Sequence, residues 1–328
     1  MKRAVLAIVA SAGFLLYSGV VPVTAAAQSA ESTGFPFLRL DPSARSAALS
    51  GAVVSLFGAD VNALYYNPSL LAEGTDGALS LSYLNHVADL RSGVLVYGRE
   101  IPSIGSLAAG IRYMSWGKLQ GATETGERTG EFGAGDFALT VGGSRAYTER
   151  VRIGASVHVV YSGIESYSAS ALAADLGVTY RIEQSGFAAS ASLNNFGATL
   201  SSFGNTRDRL PTDLRIGVAK RLANVPLLLT VMGYNLNRED KGADGSGTAN
   251  DILRHVAVGG EFQFSDAFQI RIGYNHRQHE ELKSKSRLDF AGFGFGAGIM
   301  IRGFRFDYAY NSWSEIGGLN RLTVGTNL

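Results

Sequence analysis

Period two governs the chain from Ala78 to its end. In SLAAGIRYMSWG, Leu107, Ala109, Ile111 and Tyr113 alternate with Ala108, Gly110, Arg112 and Met114. In VRIGASVHVVYSG, Val151, Ile153, Ala155, Val157, Val159 and Tyr161 share one face; Arg152, Gly154, Ser156 and His158 share the other. SALAADLGVTYRI sets Leu172, Ala174, Leu176, Val178, Tyr180 and Ile182 against Ala173, Asp175, Gly177, Thr179 and Arg181. The pattern recurs in DLRIGVAKRL, HVAVGGEFQF, FQIRIGY, FRFDYAYN and RLTVGTNL. Successive side chains of a strand point to opposite sides, so alternation of this kind marks strands with two unlike faces. One face is apolar with aromatics towards the strand ends, and the other is small, polar or charged.

A soluble sandwich would bury the apolar face and show the polar one to water. A transmembrane barrel reverses this, with the apolar face towards lipid and the polar face towards the lumen. Alternation alone does not separate the two, but the connections do. About fourteen strands of roughly 9–13 residues, long enough to cross a bilayer when tilted, begin near residues 78, 90, 105, 133, 151, 170, 186, 211, 225, 252, 267, 289, 303 and 319. Links after even-numbered strands are short: IPSIG, TERV, Gln184-Ser185-Gly186, and turns at Asn224, Asp266 and Arg302-Gly303. Links after odd-numbered strands are mostly longer and polar: GKLQGATETGERTGEF, GATLSSFGNTRDRLP, REDKGADGSGTAND and RQHEELKSKSR. Short turns on one rim and long loops on the other characterise outer-membrane barrels. A sandwich has no reason to keep that parity. The expected fold is therefore all-β: an antiparallel transmembrane barrel of about 14 strands over residues 78–328.

Composition adds detail. The 328 residues carry a formal net charge of +1 and no cysteine, which argues against a nucleic-acid surface and excludes disulfides, thiolate chemistry and a lipidated cysteine. Fourteen tyrosines and 17 phenylalanines suit aromatic girdles at the two interfaces. Arginine recurs on the polar faces at 112, 152, 181, 215, 271 and 305, and Asp136, Asp175 and Asp307 are the natural carboxylate partners. At the N-terminus, Lys2 and Arg3 precede an apolar stretch from Ala4 to Val21, and Ala25-Ala26-Ala27 offers small residues for cleavage after Ala27. This reads as a signal peptide over residues 1–27, against the alternative of an uncleaved anchor. No later segment reaches 18 uninterrupted apolar residues, so the chain has no candidate for helical spanning.

One stretch breaks the pattern. SARSAALSGAVVSLFGADVNALYYNPSLL, Ser43 to Leu71, is apolar but not strand-like. Ala44, Ala47, Ala48, Ala52 and Leu56 recur at helical spacing, and Pro68 pushes Asn67 out of the helical region so that Tyr65-Tyr66-Asn67-Pro68 reads as a turn. A barrel of this strand number has a lumen too wide for its own side chains to fill. Residues 28–77 are thus expected to form a plug; the alternative is a short helix outside the barrel on the periplasmic side.

ADVNALYYNPSLL also resembles the Asp…Asn-Pro-Ala stretch in the N-terminal hatch of FadL-type outer-membrane barrels, with Asp60, Asn67 and Pro68 at the motif positions and Ser69 in place of alanine. Within that superfamily, FLRLDPSARSAALSGAVVSLFGADVNALYYNPSLL looks like the opening of the PorV/PorQ family of the type IX secretion system. GEFGAGDFALTVGGSR and YSGIESYSASALAADLGVTY are similar to its PorQ-like members. The chain ends in Leu328 rather than the aromatic that commonly closes outer-membrane barrels. The resemblance implies an outer-membrane protein, multi-pass and embedded in lipid, that exports and attaches cargo proteins with partners similar to PorZ, PorU and PorV. FadL likeness alone implies a transporter of hydrophobic small molecules. A plain porin is the third possibility. Neither resemblance implies a cofactor.

Catalytic constellations are weak. His158 and Asp175 fall on polar faces of adjacent expected strands and lie opposite each other if the hairpin turns near Ser166 and Tyr167; with no nucleophile or oxyanion donors they read as a polar pair lining the lumen. His276, His279, Glu280 and Glu281 sit in a polar loop and are weak as a metal site. Lys241 to Asp251 hints at calcium without a repeat. GFGFGAG near Gly292 to Gly298 lies in a strand with no following helix, so it is not a nucleotide loop. No catalytic or metal residue is assigned, and the chain reads as no enzyme.

Overall fold

A computed structural model describes residues 34–72, 74–85, 90–123, 125, 127–204, 208–238, 247–283, 289–313 and 317–328. The expected signal peptide lies outside them. Fourteen antiparallel strands close into one barrel. The first seven are β1 (Ala78–Asn85), β2 (Arg91–Ile101), β3 (Gly105–Ala122), β4 (Arg128–Ala146), β5 (Val151–Ile164), β6 (Tyr167–Ile182) and β7 (Phe187–Ser201). The second seven are β8 (Asp213–Arg221), β9 (Leu227–Gly233), β10 (Val256–Ser265), β11 (Phe268–Asn275), β12 (Phe293–Ile301), β13 (Phe304–Ser312) and β14 (Gly318–Asn327). Each strand pairs with its sequence neighbours, and β1 closes the ring on β14 with Ala78 opposite Asn327 and Asn85 opposite Asn320.

The orientation of the two faces decides between barrel and sandwich. Leu176 is 50% exposed on the outer surface whereas Arg271 is 1% exposed inside. Leu81, Leu139, Val159, Ile216 and Ile270 point outward, and Thr140, His158, Asp175 and Thr323 are buried within. A water-soluble fold buries its apolar face; here that face forms a belt around the ring, as in a barrel that spans a bilayer. Aromatic side chains gather near one rim: Phe262, Phe264 and Phe268 stack in sequence, with centroids 5.8 Å apart. Among the described residues, no helix is long and apolar enough to cross a membrane.

The wall is uneven. β3 to β7 run 14–19 residues while β8 to β13 run 7–10. A tilted strand needs about 9–11 residues to cross, so β3–β7 stand well above the rest on the long-loop rim. This corrects the expectation of uniform strands and of a long loop after β3. Most of GKLQGATETGERTGEF continues the β3–β4 ladder, where Ala122 pairs with Arg128 and bulges follow Ser115 and Gly121. Two other expected loops contain short helices, α2 (Thr248–Leu253) and α3 (His276–Leu282) in chain order after α1 (Ala44–Ala48). Asn275 caps α3 by accepting from the Gln278 N–H, a polar signature hidden in a run of charges.

Candidate functional site

The described residues of 34–77 pack against inward-facing positions of the wall, and local capping chemistry sets their shape. Ser43 and Ser46 form a reciprocal capping box that starts α1. Asp60 accepts from the Asn62 N–H and Asn67 from the Ser69 N–H, each opening a short 3-10 turn, and Pro68 occupies the first position of the second turn. The helix is shorter than the alanine spacing implies. It stops at Ala48 because Ser50 and Gly51 take positive φ, so Ala52 and Leu56 lie in irregular chain.

The inner segment touches opposite walls. On one side, Leu49 lies against Gly273 of β11, and Ala47 and Ala48 against Gly294 and Gly296 of β12. A Cβ on Gly296 would sit 2.5 Å from that of Ala48, which no real pair of carbons tolerates. The GFGFGAG run is therefore a seat for α1. On the other side, Gly154 of β5 meets Pro68 and Ser69, and Gly177 of β6 meets the Asn67 amide. The upper end of the segment, Phe35, Phe37 and Leu38, packs in an apolar cluster with Met114, Ala138, Val160, Ala171 and Leu210. Inward apolar residues here and at Val94 and Val96 depart from a uniformly polar lumen.

Arginines fasten the segment, chiefly through its backbone. Arg112 donates to the Phe37 and Leu38 carbonyls at 3.1 and 2.9 Å, Arg152 to Leu71 O at 3.0 Å, and Arg181 to Leu56 O at 3.1 Å. Arg321 donates to Asp41 O. The Arg112 guanidinium also lies 4.5 Å from the Tyr65 ring centre. From the segment itself, Arg45 donates twice to Glu261 at 2.9 Å and once to Phe57 O. Glu261 accepts from Arg271 at 2.6 Å, Arg271 reaches Asp307 at 2.6 Å, and Arg305 donates to Asp307 at 2.7 Å. The expected carboxylate partners are thus one-third right. Asp307 pairs with arginine, whereas Asp136 accepts from Trp116 Nε1 at 2.7 Å and from Ser162, and Asp175 accepts from His158, Ser156 and Asn195 N–H. Glu261 and Asp213, the latter 2.6 Å from Arg215, were the acids to find. Their inward position in the alternation was the available signal.

The motif residues fall in two hydrogen-bonded groups, one around Asp60 and one around Asn67 and Ser69. Asp60 accepts from the Tyr66 hydroxyl at 3.1 Å and lies 3.8 Å from Arg45. Asn67 Nδ2 donates to Val54 O at 2.7 Å, its Oδ1 accepts from Ser69 Oγ at 2.6 Å, and Ser69 shares a 2.7 Å hydrogen bond with Thr179. Serine at this position supplies a hydroxyl that alanine would lack.

His158 Nε2 and Asp175 Oδ2 stand 2.8 Å apart. They are diagonal neighbours rather than opposite: the hairpin turns at Glu165 and Ser166, so His158 faces Ala173 and Asp175 faces Ser156. The Ser156 hydroxyl donates to the carboxylate at 3.0 Å, and His158 Nδ1 meets Thr140 Oγ1 at 2.8 Å. With its proton directed at the acid, Ser156 is not an activated nucleophile. Asp175 instead accepts from the Asn195 N–H at 2.7 Å across a bulge in the β6–β7 ladder, where Asn195 takes φ 54°. The cluster holds a kinked wall. Among the described residues no group of acids and histidines has metal-binding geometry; His276 Nε2 donates to Asn250 Oδ1 and His279 Nδ1 to Ala291 O.

No protein-family model matches the chain, and no curated protein sequence matches it. Solved structures do. The toluene transporter TodX of Pseudomonas putida is 15% identical, with 86% of this chain and 96% of that one covered and a TM-score of 0.55. The toluene transporter TbuX of Ralstonia pickettii is 14% identical over 88% and 97%, with a TM-score of 0.53. A FadL homologue of Pseudomonas aeruginosa is 12% identical over 87% and 98%, with a TM-score of 0.51. At these identities the likeness is one of fold: the chain has a FadL-like fourteen-stranded barrel.

Proposed function

We propose that the chain is an outer-membrane barrel, closed by residues 34–77, that takes hydrophobic small molecules into the apolar cluster at the long-loop end of its lumen. The observation that carries this reading is that apolar cluster, which faces the lumen beside buried polar wall residues such as Arg112 and Asp136. Phe37 and Leu38 occupy it, and a ligand would enter by displacing them. Beside it, the Arg39 Nε and Nη2 have no hydrogen-bond partner among the described residues. Burial, with the charge of Arg238 adding, lowers that guanidinium to about 10. An apolar body with an anionic head fits these neighbours. The named substrates of the similar structures, toluene and other monoaromatic hydrocarbons, lend support for the apolar part. Titration of the purified barrel with a labelled fatty acid, read by Trp116 fluorescence and by uptake into proteoliposomes, tests this reading; no saturable binding and no uptake would overturn it.

A second reading is a closed anchor of the type IX secretion system, with partners similar to PorZ, PorU and PorV. What favours it is the strength of the fastening: arginines from several strands hold the backbone of the inner segment, as suits a barrel that stays shut and works through its outer rim. The tall β3–β7 wall offers that rim. Affinity purification from the native outer membrane, with partners identified by mass, tests it; recovery of the barrel without secretion proteins would remove it.

A further inference from the structure

The outer wall carries a feature that neither reading uses. Near the short-turn rim, the belt is interrupted by a cleft of about 510 Å³ on the surface of β2 to β5. Tyr97, Leu107, Ala109, Val141, Ala155 and Val157 line it. Register explains the dip. Tyr97, Ala109, Val141 and Val157 form one cross-strand row; Arg99, Leu107, Gly143 and Ala155 form the next. Small residues in the middle of both rows leave the floor low, and Gly143 lets the Leu107 side chain lie across it: a Cβ there would meet Leu107 Cδ2 at 2.5 Å. The cleft opens directly onto the apolar belt, so hydrocarbon is what its mouth faces.

Charge marks one end. Arg99 closes the second row and lines the cleft; Arg145, outside the lining but one step nearer the rim on β4, is exposed at a position of the same parity as Gly143. Arg99 Nε is 3.6 Å from Asp76, but the pair is 62% and 52% exposed and therefore weak. The exposed Arg145 guanidinium has no partner among the described residues. Arginine presents a planar fork matched to phosphate oxygens, and these two lie near the strand ends of the short-turn rim.

We propose that this cleft holds an acyl chain of an anionic phospholipid from the leaflet at the short-turn rim, with the headgroup phosphate bound by Arg99 and Arg145. The site is independent of the lumen and of either function above. Native mass spectrometry of the whole protein, released from nanodiscs of phosphatidylethanolamine and phosphatidylglycerol, tests it. Wild type is expected to retain phosphatidylglycerol preferentially. Filling the cleft with Ala109→Leu and Ala155→Leu should cut the retained lipid about tenfold, and Arg99→Gln with Arg145→Gln should abolish the preference between the two lipids. The arginine variant leaves the belt intact, so it decides the matter even if the filled variant fails to fold. Retention of neither lipid, equal retention of both by wild type, an unchanged preference in the arginine variant, unchanged retention in a folded filled variant, or cross-linking of two copies through Ala155→Cys would each overturn the proposal.

Discussion

Arg45 of the inner segment and Glu261 of β10 are joined by two hydrogen bonds of 2.9 Å, and both side chains are less than a tenth exposed. The pair is a buried ionic tie between the segment and the wall, and it leads into a chain of alternating charges through Arg271 and Asp307. Removing one member of such a buried pair costs about 3–5 kcal/mol, because its partner keeps a desolvated charge. Glu261→Gln leaves both Arg45 and Arg271 short of a counter-charge. Arg45→Met leaves Glu261 still held by Arg271. The first variant is expected to lower the unfolding temperature more than the second. Both should raise single-channel conductance in planar bilayers as the segment loosens; unchanged conductance in both would separate this tie from closure of the lumen.

Asn67 and Gly177 make a second test. The Asn67 amide rests where a Gly177 Cβ would be, so Gly177→Ala should push the 3-10 turn off its seat by about 1–3 kcal/mol, the usual range for overpacking. Asn67→Ala removes a cap worth about 1 kcal/mol together with the bond to Val54 O, but it vacates the space. The double variant should therefore be less destabilised than the sum of the singles, a coupling that distant sites do not show. Urea unfolding of the folded barrel in detergent checks this; strict additivity would mean the two residues do not share one seat.

Asp175 serves three donors at once: His158, Ser156 and the Asn195 N–H. Asp175→Ala leaves each of them buried without its acceptor, at about 1–3 kcal/mol apiece before relaxation. His158→Ala removes one donor to the carboxylate and spares the β6–β7 bulge. The aspartate variant should thus be the less stable by a clear margin in thermal melts of the barrel. If the histidine variant were the worse, the bulge would not depend on the acid.

How far the sequence reaches can be seen in these same residues. Alternation and loop parity were enough to read fourteen strands and their direction, because a bilayer imposes one rule on every strand and each turn must return the chain to the same rim. His158 and Asp175 were legible as neighbours for that reason, yet the register was off by one pair: the turn lies at Glu165 and Ser166, where Glu165 takes φ 55°, and no glycine or asparagine marks that site. The heights of β3 and β4 were missed because polar, glycine-containing strand above a membrane looks like loop. Arginine partners were missed more deeply. A strand pattern shows which side chains face the lumen, but Arg112, Arg152 and Arg181 find backbone carbonyls of a distant segment, and a carbonyl has no residue-specific signature.

The outer loops give a prediction for acidic conditions. On α3, burial lowers the His276 imidazole below its usual value, the charges of His279, Lys283 and Arg254 add to this, and Glu280 opposes it. Its Nε2 lies 2.7 Å from Asn250 Oδ1, and its Nδ1 3.1 Å from the Tyr274 hydroxyl. The ring therefore ties α3 to the residue that lies within α2 and to the end of β11. Because the folded loop holds the proton less tightly than an unfolded one, this contribution is complete above the ordinary histidine value of about 6.5. It falls as pH drops below that value and becomes a constant loss beneath the lowered one. Trypsin cleavage after Arg277 and Lys283 should accelerate over that window while the strands stay protected. His276→Gln should flatten the dependence, since glutamine keeps a donor for Asn250 without titrating. If cleavage in that variant kept the same pH profile, His276 would not be the titrating group; Glu280, whose carboxyl is held below its usual range chiefly by its hydrogen bond from Lys283, would act only at lower pH.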